Sequence, residues 1–255
     1  NFLIIMGIQL VNKRTLFILL FLSLSLQLFA HGDLSMRIAE KTVAISENPN
    51  NAELYYERGL LYQQHIEYSN ALEDYHKSYL QVDNKDVKAK KLEAQILFQL
   101  QAYKKSLEAY RYVIHTMTDT RPEDILEYCD IILAENHKNY KAALEAIQAG
   151  LDQLGPHTLS LQLKKLDYLK ESGQTEKALE QYNYFILQYN RKEFWYYKKA
   201  KYLAEINKPH EAFISLKLAT VAIEQLEPKF KNMSPVIKLK EQINSLESSI
   251  NNQKS

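Results

Sequence analysis

Reactive side chains are scattered through this chain, and their spacing does not assemble a reaction centre. Of the seven histidines, His65, His137 and His210 fall in or beside turns and His76 sits on a helix, so no two are placed to ligate one metal ion. Neighbouring acids, Glu73 with Asp74 and Glu123 with Asp124, point in different directions on a helix and cannot share a proton as a catalytic dyad. The chain has no phosphate-binding G-x-x-x-x-G-K-[ST] loop, no H-E-x-x-H, no G-x-S-x-G and no C-x-x-C. Cys129 is the single cysteine, which excludes an intramolecular disulfide and a cysteine-based structural metal site. If the chain is cut after Ala30, His31 offers an amine and an imidazole together. Copper bound in that way needs a second converging histidine, and none is evident. The expectation is therefore not an enzyme, with no cofactor and no metal.

The elements that would position these residues are helical. Only six glycines and six prolines occur in 255 residues, with 46% hydrophobic and 25% charged positions, a composition suited to globular helices. A net charge of +1 creates no global field for nucleic acid or an anionic membrane. Eighteen tyrosines suit packing positions that keep one polar tip wet. At the start, Lys13 and Arg14 precede an uncharged apolar run over 15–30. That is the pattern of an export signal at residues 1–30, short for a membrane span. Removing it, with its two cations and no acid, takes the net charge from +1 to −1.

A motif then returns along the chain: E-Y-S-N-A-L-E-D-Y at Glu67–Tyr75, Y-K-K-S-L-E-A-Y at Tyr103–Tyr110, Y-K-A-A-L-E-A-I at Tyr140–Ile147, T-E-K-A-L-E-Q-Y at Thr175–Tyr182 and P-H-E-A-F-I-S-L at Pro209–Leu216. Its central small residues, Ala71, Ser106, Ala143, Ala178 and Ala212, lie 35, 37, 35 and 34 residues apart. Such a period denotes a helical array. Each unit reads as two amphipathic helices, with a small residue where they touch: Gly59, Ala94, Cys129 and Ala200, and the larger Leu166 in the fourth. Cys129 is thus expected to be buried, and the 37-residue step places two extra residues in the turn around Asn136–Asn139. Pro49, Pro122 and Gly155-Pro156 mark junctions between units, and Gly173 and Pro209 mark turns within them. From Pro235 onward, Val236, Leu239, Ile243, Leu246 and Ile250 form one apolar stripe. This predicts a helix capping the array; the other reading is a coiled-coil seam giving weak self-association.

The pattern resembles the tetratricopeptide repeat, carried by Tyr55, Gly59, Tyr62, Ala71, Tyr75 and Ser78 in the first unit, with Ala44 and Pro49 closing an incomplete unit before it. The resemblance implies an all-α, right-handed superhelical solenoid of about five helix-turn-helix repeats. The expected organisation is a signal peptide at 1–30, an N-terminal helix at 31–51, the array at 52–227 and a capping helix with tail at 228–255. It also implies a concave groove lined by the first helix of each unit. Carried over, its positions are Glu53, Tyr56, Leu60 and Gln63; Lys88, Lys91, Gln95 and Phe98; Glu123, Leu126, Asp130 and Leu133; Ser160, Leu163, Asp167 and Lys170; and Phe194, Tyr197, Lys201 and Ala204. Mixed charge with aromatic spots suits an extended peptide or a partner helix. Tyr56 and Leu60 stand where a chaperone-tail clamp would need Lys and Asn, so that function is not implied. The basic stretch Arg191–Lys201 surrounds Phe194-Trp195-Tyr196-Tyr197 and reads as exposed charge around a packed aromatic core.

The expected function is an exported protein–protein interaction module or scaffold, periplasmic or secreted, with an uncleaved signal as its one means of attachment to the envelope. The alternative is a periplasmic assembly factor or holdase. Gly59→Leu is expected to lower stability, and Lys91→Ala to weaken binding only.

Overall fold

Helix pairs joined by tight left-handed turns make up the computed structural model, which describes residues 32–81 and 87–252. The expected signal segment lies outside the described residues. The chain divides into two compact units at Asn139/Tyr140.

Unit 1 begins with helix α1 at residues 32–47. It continues with α2 (Ala52–Gln64), α3 (Tyr68–Gln81), α4 (Val87–Gln99), α5 (Tyr103–Thr116) and α6 (Pro122–Glu135), each packed on the next from α2 onward. Unit 2 holds α7 (Tyr140–Leu154), α8 (Leu159–Glu171), α9 (Thr175–Gln188), α10 (Lys192–Glu205), α11 (Pro209–Glu224), α12 (Pro228–Lys231) and α13 (Ser234–Asn252). No strand occurs among the described residues.

The small residue between paired helices has the role its spacing predicts. A Cβ added at Gly59 would lie 2.6 Å from Cε1 of Tyr75, whose ring is fully buried. Only glycine lets α2 and α3 approach this closely around that ring. Ala94, Cys129 and Ala200 are likewise fully buried, and Leu166 is buried in the fourth slot. At Ser106 the hydroxyl is spent on the Ala94 carbonyl, 2.7 Å away, so the polar atom stays satisfied in the core.

Four turns within repeats share one geometry. Ile66, Gln101, Gly173 and Asn207 adopt positive φ. After each, a backbone N–H reaches back to the last turn of the preceding helix: Glu67 to Tyr62, Ala102 to Leu97, Gln174 to Leu169 and Lys208 to Leu203, at 2.8–2.9 Å. These are Schellman closures, which satisfy otherwise orphaned carbonyls. The turn after α6 differs. Asn136 is extended, at φ −145°, and its side chain accepts from the Lys138 N–H at 3.2 Å. This is where the 37-residue step places its two additional residues, and where the two units divide.

The first and last long helices of the described residues are held by different chemistry. Arg37 and Lys41 stand in α1 at the places that Ala71 and Tyr75 occupy 34 residues later in α3. Lys41 donates to Glu57 at 2.5 Å and Arg58 donates to Thr42 at 3.0 Å, holding α1 to α2. At the other end, Val236, Leu239, Ile243 and Ile250 of α13 are buried with Leu216, Ala219 and Ile223 of α11. Full burial of one such side chain is worth about 1.5–3 kcal/mol. That stripe therefore covers the last repeat, and the coiled-coil seam that would have supported self-association is not available.

Candidate functional site

In unit 1 the sequence-predicted positions gather around two cavities along α2, α4 and α6. The first encloses about 450 Å³. Tyr56, Lys88, Lys91 and Gln95 line it together with Val87 and Leu92. The loop between α5 and α6 closes it through Met117, Asp119 and Arg121. The second encloses about 300 Å³ and is lined by Gln63, Gln95, Phe98 and Asp130 with Glu127 and Ile131. Gln95 lines both. Glu53 is exposed on α2, Leu60 packs beneath with Tyr56 against Tyr75 and Ile96, and Leu126 is half-buried on α6.

The site rests on buried charge. Lys91 donates to Asp124 at 2.5 Å and lies 3.8 Å from Glu127, and the Asp124 side chain is fully buried. The other Asp124 oxygen accepts from the Arg121 N–H at 2.8 Å, which fixes the first turn of α6 behind Pro122. Lys91 is therefore structural as well as groove-lining. Removing it would leave a core carboxylate with only the more distant Arg121 guanidinium, 3.8 Å away, which corrects the expectation that Lys91→Ala touches binding alone. Tyr110 donates to Glu127 at 2.6 Å, and burial with this bond drives its phenol well above the usual tyrosine range. Tyr75 donates to Gln63 at 2.7 Å, so the hydroxyl of a core tyrosine orients a groove amide.

Beneath the trough, Arg58 grips Asp74 with two bonds of 2.8 and 2.7 Å. Its guanidinium lies 5.8 Å and 5.6 Å from the Tyr55 and Tyr62 ring centres. The bonds to Asp74 raise the Arg58 pKa further above its ordinary value, so the guanidinium stays charged.

In unit 2 the predicted positions are placed differently. Leu163 packs against the core of α8 and α9, while Phe194 and Tyr197 pack against that of α10, α11 and α13. Asp167 and Lys201 are exposed. The basic stretch is distributed as charge around an aromatic core. Trp195 stacks on Phe185 at 4.0 Å and 6°, with Lys198 4.4 Å above its ring. Arg191 pairs with the buried Glu193, and Lys199 donates to Asn183 at 2.7 Å. Burial pulls the Lys199 pKa below its usual value.

Sequence reasoning located the helix faces but missed the loop residues Met117, Asp119 and Arg121. The signal available was Pro122, which opens α6 and leaves a five-residue junction beside the groove. Among the described residues no group of three or more His, Cys, Asp or Glu could hold a metal ion. No helix among them is long and apolar enough to cross a membrane.

No protein-family model and no curated protein matches this chain. Solved structures do. YrrB, described as a TPR protein with an unusual peptide-binding site, is similar over 72% of this chain and 93% of its own, at 18% identity and a TM-score of 0.50. The MamA protein is similar over 69% and 94%, at 16% identity and 0.51. A chain in the structure of Naa15/Naa10 bound to HypK-THB is similar over 85% of this chain and 31% of that one, at 10% identity and 0.58. The fold is that of the tetratricopeptide repeat. Within it, α2/α3, α4/α5, α8/α9 and α10/α11 are repeat hairpins, and the two cavities lie on the first helices of their repeats.

Proposed function

We propose that this chain is a protein–protein interaction module that holds an extended peptide or a segment of a partner protein against α2, α4 and α6. The observation that carries the reading is the pair of adjoining cavities, where half-buried Tyr56 and Phe98 stand beside charged and amide side chains. Such surfaces bind by contact area and hydrogen bonding and offer no nucleophile or acid–base pair for turnover. YrrB, which has this fold, is described as possessing a peptide-binding site, and that supports the reading. The basic and apolar pattern of residues 1–30 supports export. The module then acts as a dedicated scaffold or adaptor in the periplasm, at the envelope or outside the cell.

A holdase or assembly factor for exported chains is the second reading. It is favoured by one observation: Ile214, Leu218 and Val221 form an exposed apolar stripe on α11, facing away from that helix's buried side. Photo-crosslinkers at Tyr56, Phe98 and Ile214 in the producing cells distinguish the two. One dominant protein captured at Tyr56 and Phe98 is the expected result. Many unrelated chains captured at Ile214 would replace the adaptor with the holdase, and capture at neither groove position would overturn the peptide-groove reading.

A further inference from the structure

In the second cavity of unit 1, about 300 Å³, the acids are already engaged. Glu127 accepts from Tyr110 at 2.6 Å and lies 3.8 Å from Lys91, and Asp130 has an interaction of its own. The side chains left to meet a ligand are three neutral amides, Gln63, Gln95 and Gln99, with Phe98 and Ile131 as apolar surface. Gln63 is oriented from behind. Its carbonyl oxygen accepts from the hydroxyl of the buried Tyr75 at 2.7 Å. Burial raises that phenol above the usual tyrosine range, so it remains a donor, and the amide N–H groups are what Gln63 offers the cavity. Gln95 and Gln99 make no side-chain hydrogen bond among the described residues. Each brings a carbonyl and an N–H together, the same two groups that a peptide bond presents.

Their spacing matches a backbone. Gln95 and Gln99 stand one turn apart on the same face of α4, about 6 Å along its axis at 1.5 Å per residue. Successive peptide groups of an extended chain turn to opposite edges, so those on one edge recur every second residue, about 6.6 Å at 3.3 Å per residue. Two glutamine amides can therefore meet two peptide groups of one edge in register. Bonds of this kind do not depend on which side chain the ligand residue carries. A charged side chain, in contrast, finds no unmatched opposite charge among the lining residues and loses hydration on entering.

We propose that this cavity holds an uncharged, extended peptide segment by its main chain. Gln95 and Gln99 bond peptide groups two residues apart, and one apolar side chain of the ligand sits on Phe98 and Ile131. This rests on the groove reading above and names the class of segment that the groove takes.

Panning a random-peptide display library against the chain supplies the probes. The expected enrichment is for one apolar residue flanked by positions without acid or base. In fluorescence anisotropy with a synthetic enriched peptide, exchanging single amides for esters should weaken binding about fivefold at two positions two residues apart, and little elsewhere. Gln95→Leu should weaken the unmodified peptide by a similar factor and abolish the sensitivity to one of the two esters, and Gln99→Leu should abolish the other. Added salt should leave binding nearly unchanged. Circular dichroism confirms that each variant is folded. Enriched peptides rich in charge, released by salt and insensitive to ester exchange, with binding lost in Phe98→Ala, would overturn the main-chain inference and leave the groove standing. Peptides bound equally well by Phe98→Ala, or no enrichment at all, would overturn both.

Discussion

Unit 1 and unit 2 use the same helix hairpin and weight the forces that hold it together differently. In unit 1, buried ion pairs reach between helices: Arg58 of α2 to Asp74 of α3, and Lys91 of α4 to Asp124 of α6. In unit 2, aromatic rings dominate, with Phe185 stacked on Trp195 and Tyr182 at 5.8 Å from Tyr202. The place that Asp74 holds in α3 is taken in α9 by Gln181, whose amide donates to Gln162 at 2.6 Å. A buried charge demands its partner, whereas a buried amide or ring tolerates loss more cheaply. The aromatic scheme takes Phe194 and Tyr197 partly into the core of unit 2.

The largest effect should come from breaking the charged scheme. Arg58→Ala leaves Asp74, with a side chain only 3% exposed, without its cation, and should cost about 3–5 kcal/mol. Lys91→Ala should cost less, about 1–3 kcal/mol, because the Arg121 N–H and its guanidinium, 3.8 Å away, still face Asp124. Gln181→Leu in unit 2 should cost about 1–2 kcal/mol, leaving only a neutral amide unpaired. Denaturant unfolding, with peptide-resolved hydrogen exchange assigning the loss to a unit, measures all three. Equal costs in both units would remove the contrast.

Next comes the cap. Leu239→Ala opens a cavity under α13 and should cost about 2–5 kcal/mol, read by fluorescence of Trp195, the chain's single tryptophan. An unchanged midpoint would mean that α13 does not close the array. Gly59→Leu should destabilise unit 1 by about 1–3 kcal/mol through overpacking against Tyr75, visible as faster exchange in α2 and α3.

The smallest effects compare two equivalent turns. Ile66 holds φ 64° and Gly173 holds φ 70°, yet only glycine adopts that region without strain. Ile66→Gly should raise stability by about 1 kcal/mol, and Gly173→Ala should lower it by a similar amount. Thermal unfolding should show midpoint shifts of opposite sign. Shifts of the same sign would mean that the two turns are not equivalent.

Much of the fold was legible because it rests on local periodicity. The recurrence of Ala71, Ser106, Ala143, Ala178 and Ala212 reports helix pairing directly, since a small residue must recur wherever two helices touch. Cys129 was readable as a buried slot for that reason, and the stripe from Val236 to Ile250 as a cap. The left-handed turns were readable at Gly173 but not at Ile66 or Gln101, whose side chains give no hint of positive φ. Of the groove, the helix positions Tyr56, Gln95 and Phe98 followed from the repeat phase. Arg121 and Met117 did not, because a loop has no period from which to infer its direction.

The sequence by itself determined that this chain is an array of helical hairpins with an apolar stripe at its last helix, since repeat length, small slots and apolar stripes are properties of neighbours a few residues apart. Tertiary structure alone decided which charges are matched across helices. Lys91 looked like a groove cation until α6 brought Asp124, 33 residues away, within 2.5 Å of it. A side chain's charge is written in the sequence; whether that charge is matched depends on a partner from another helix, and only packing sets that distance.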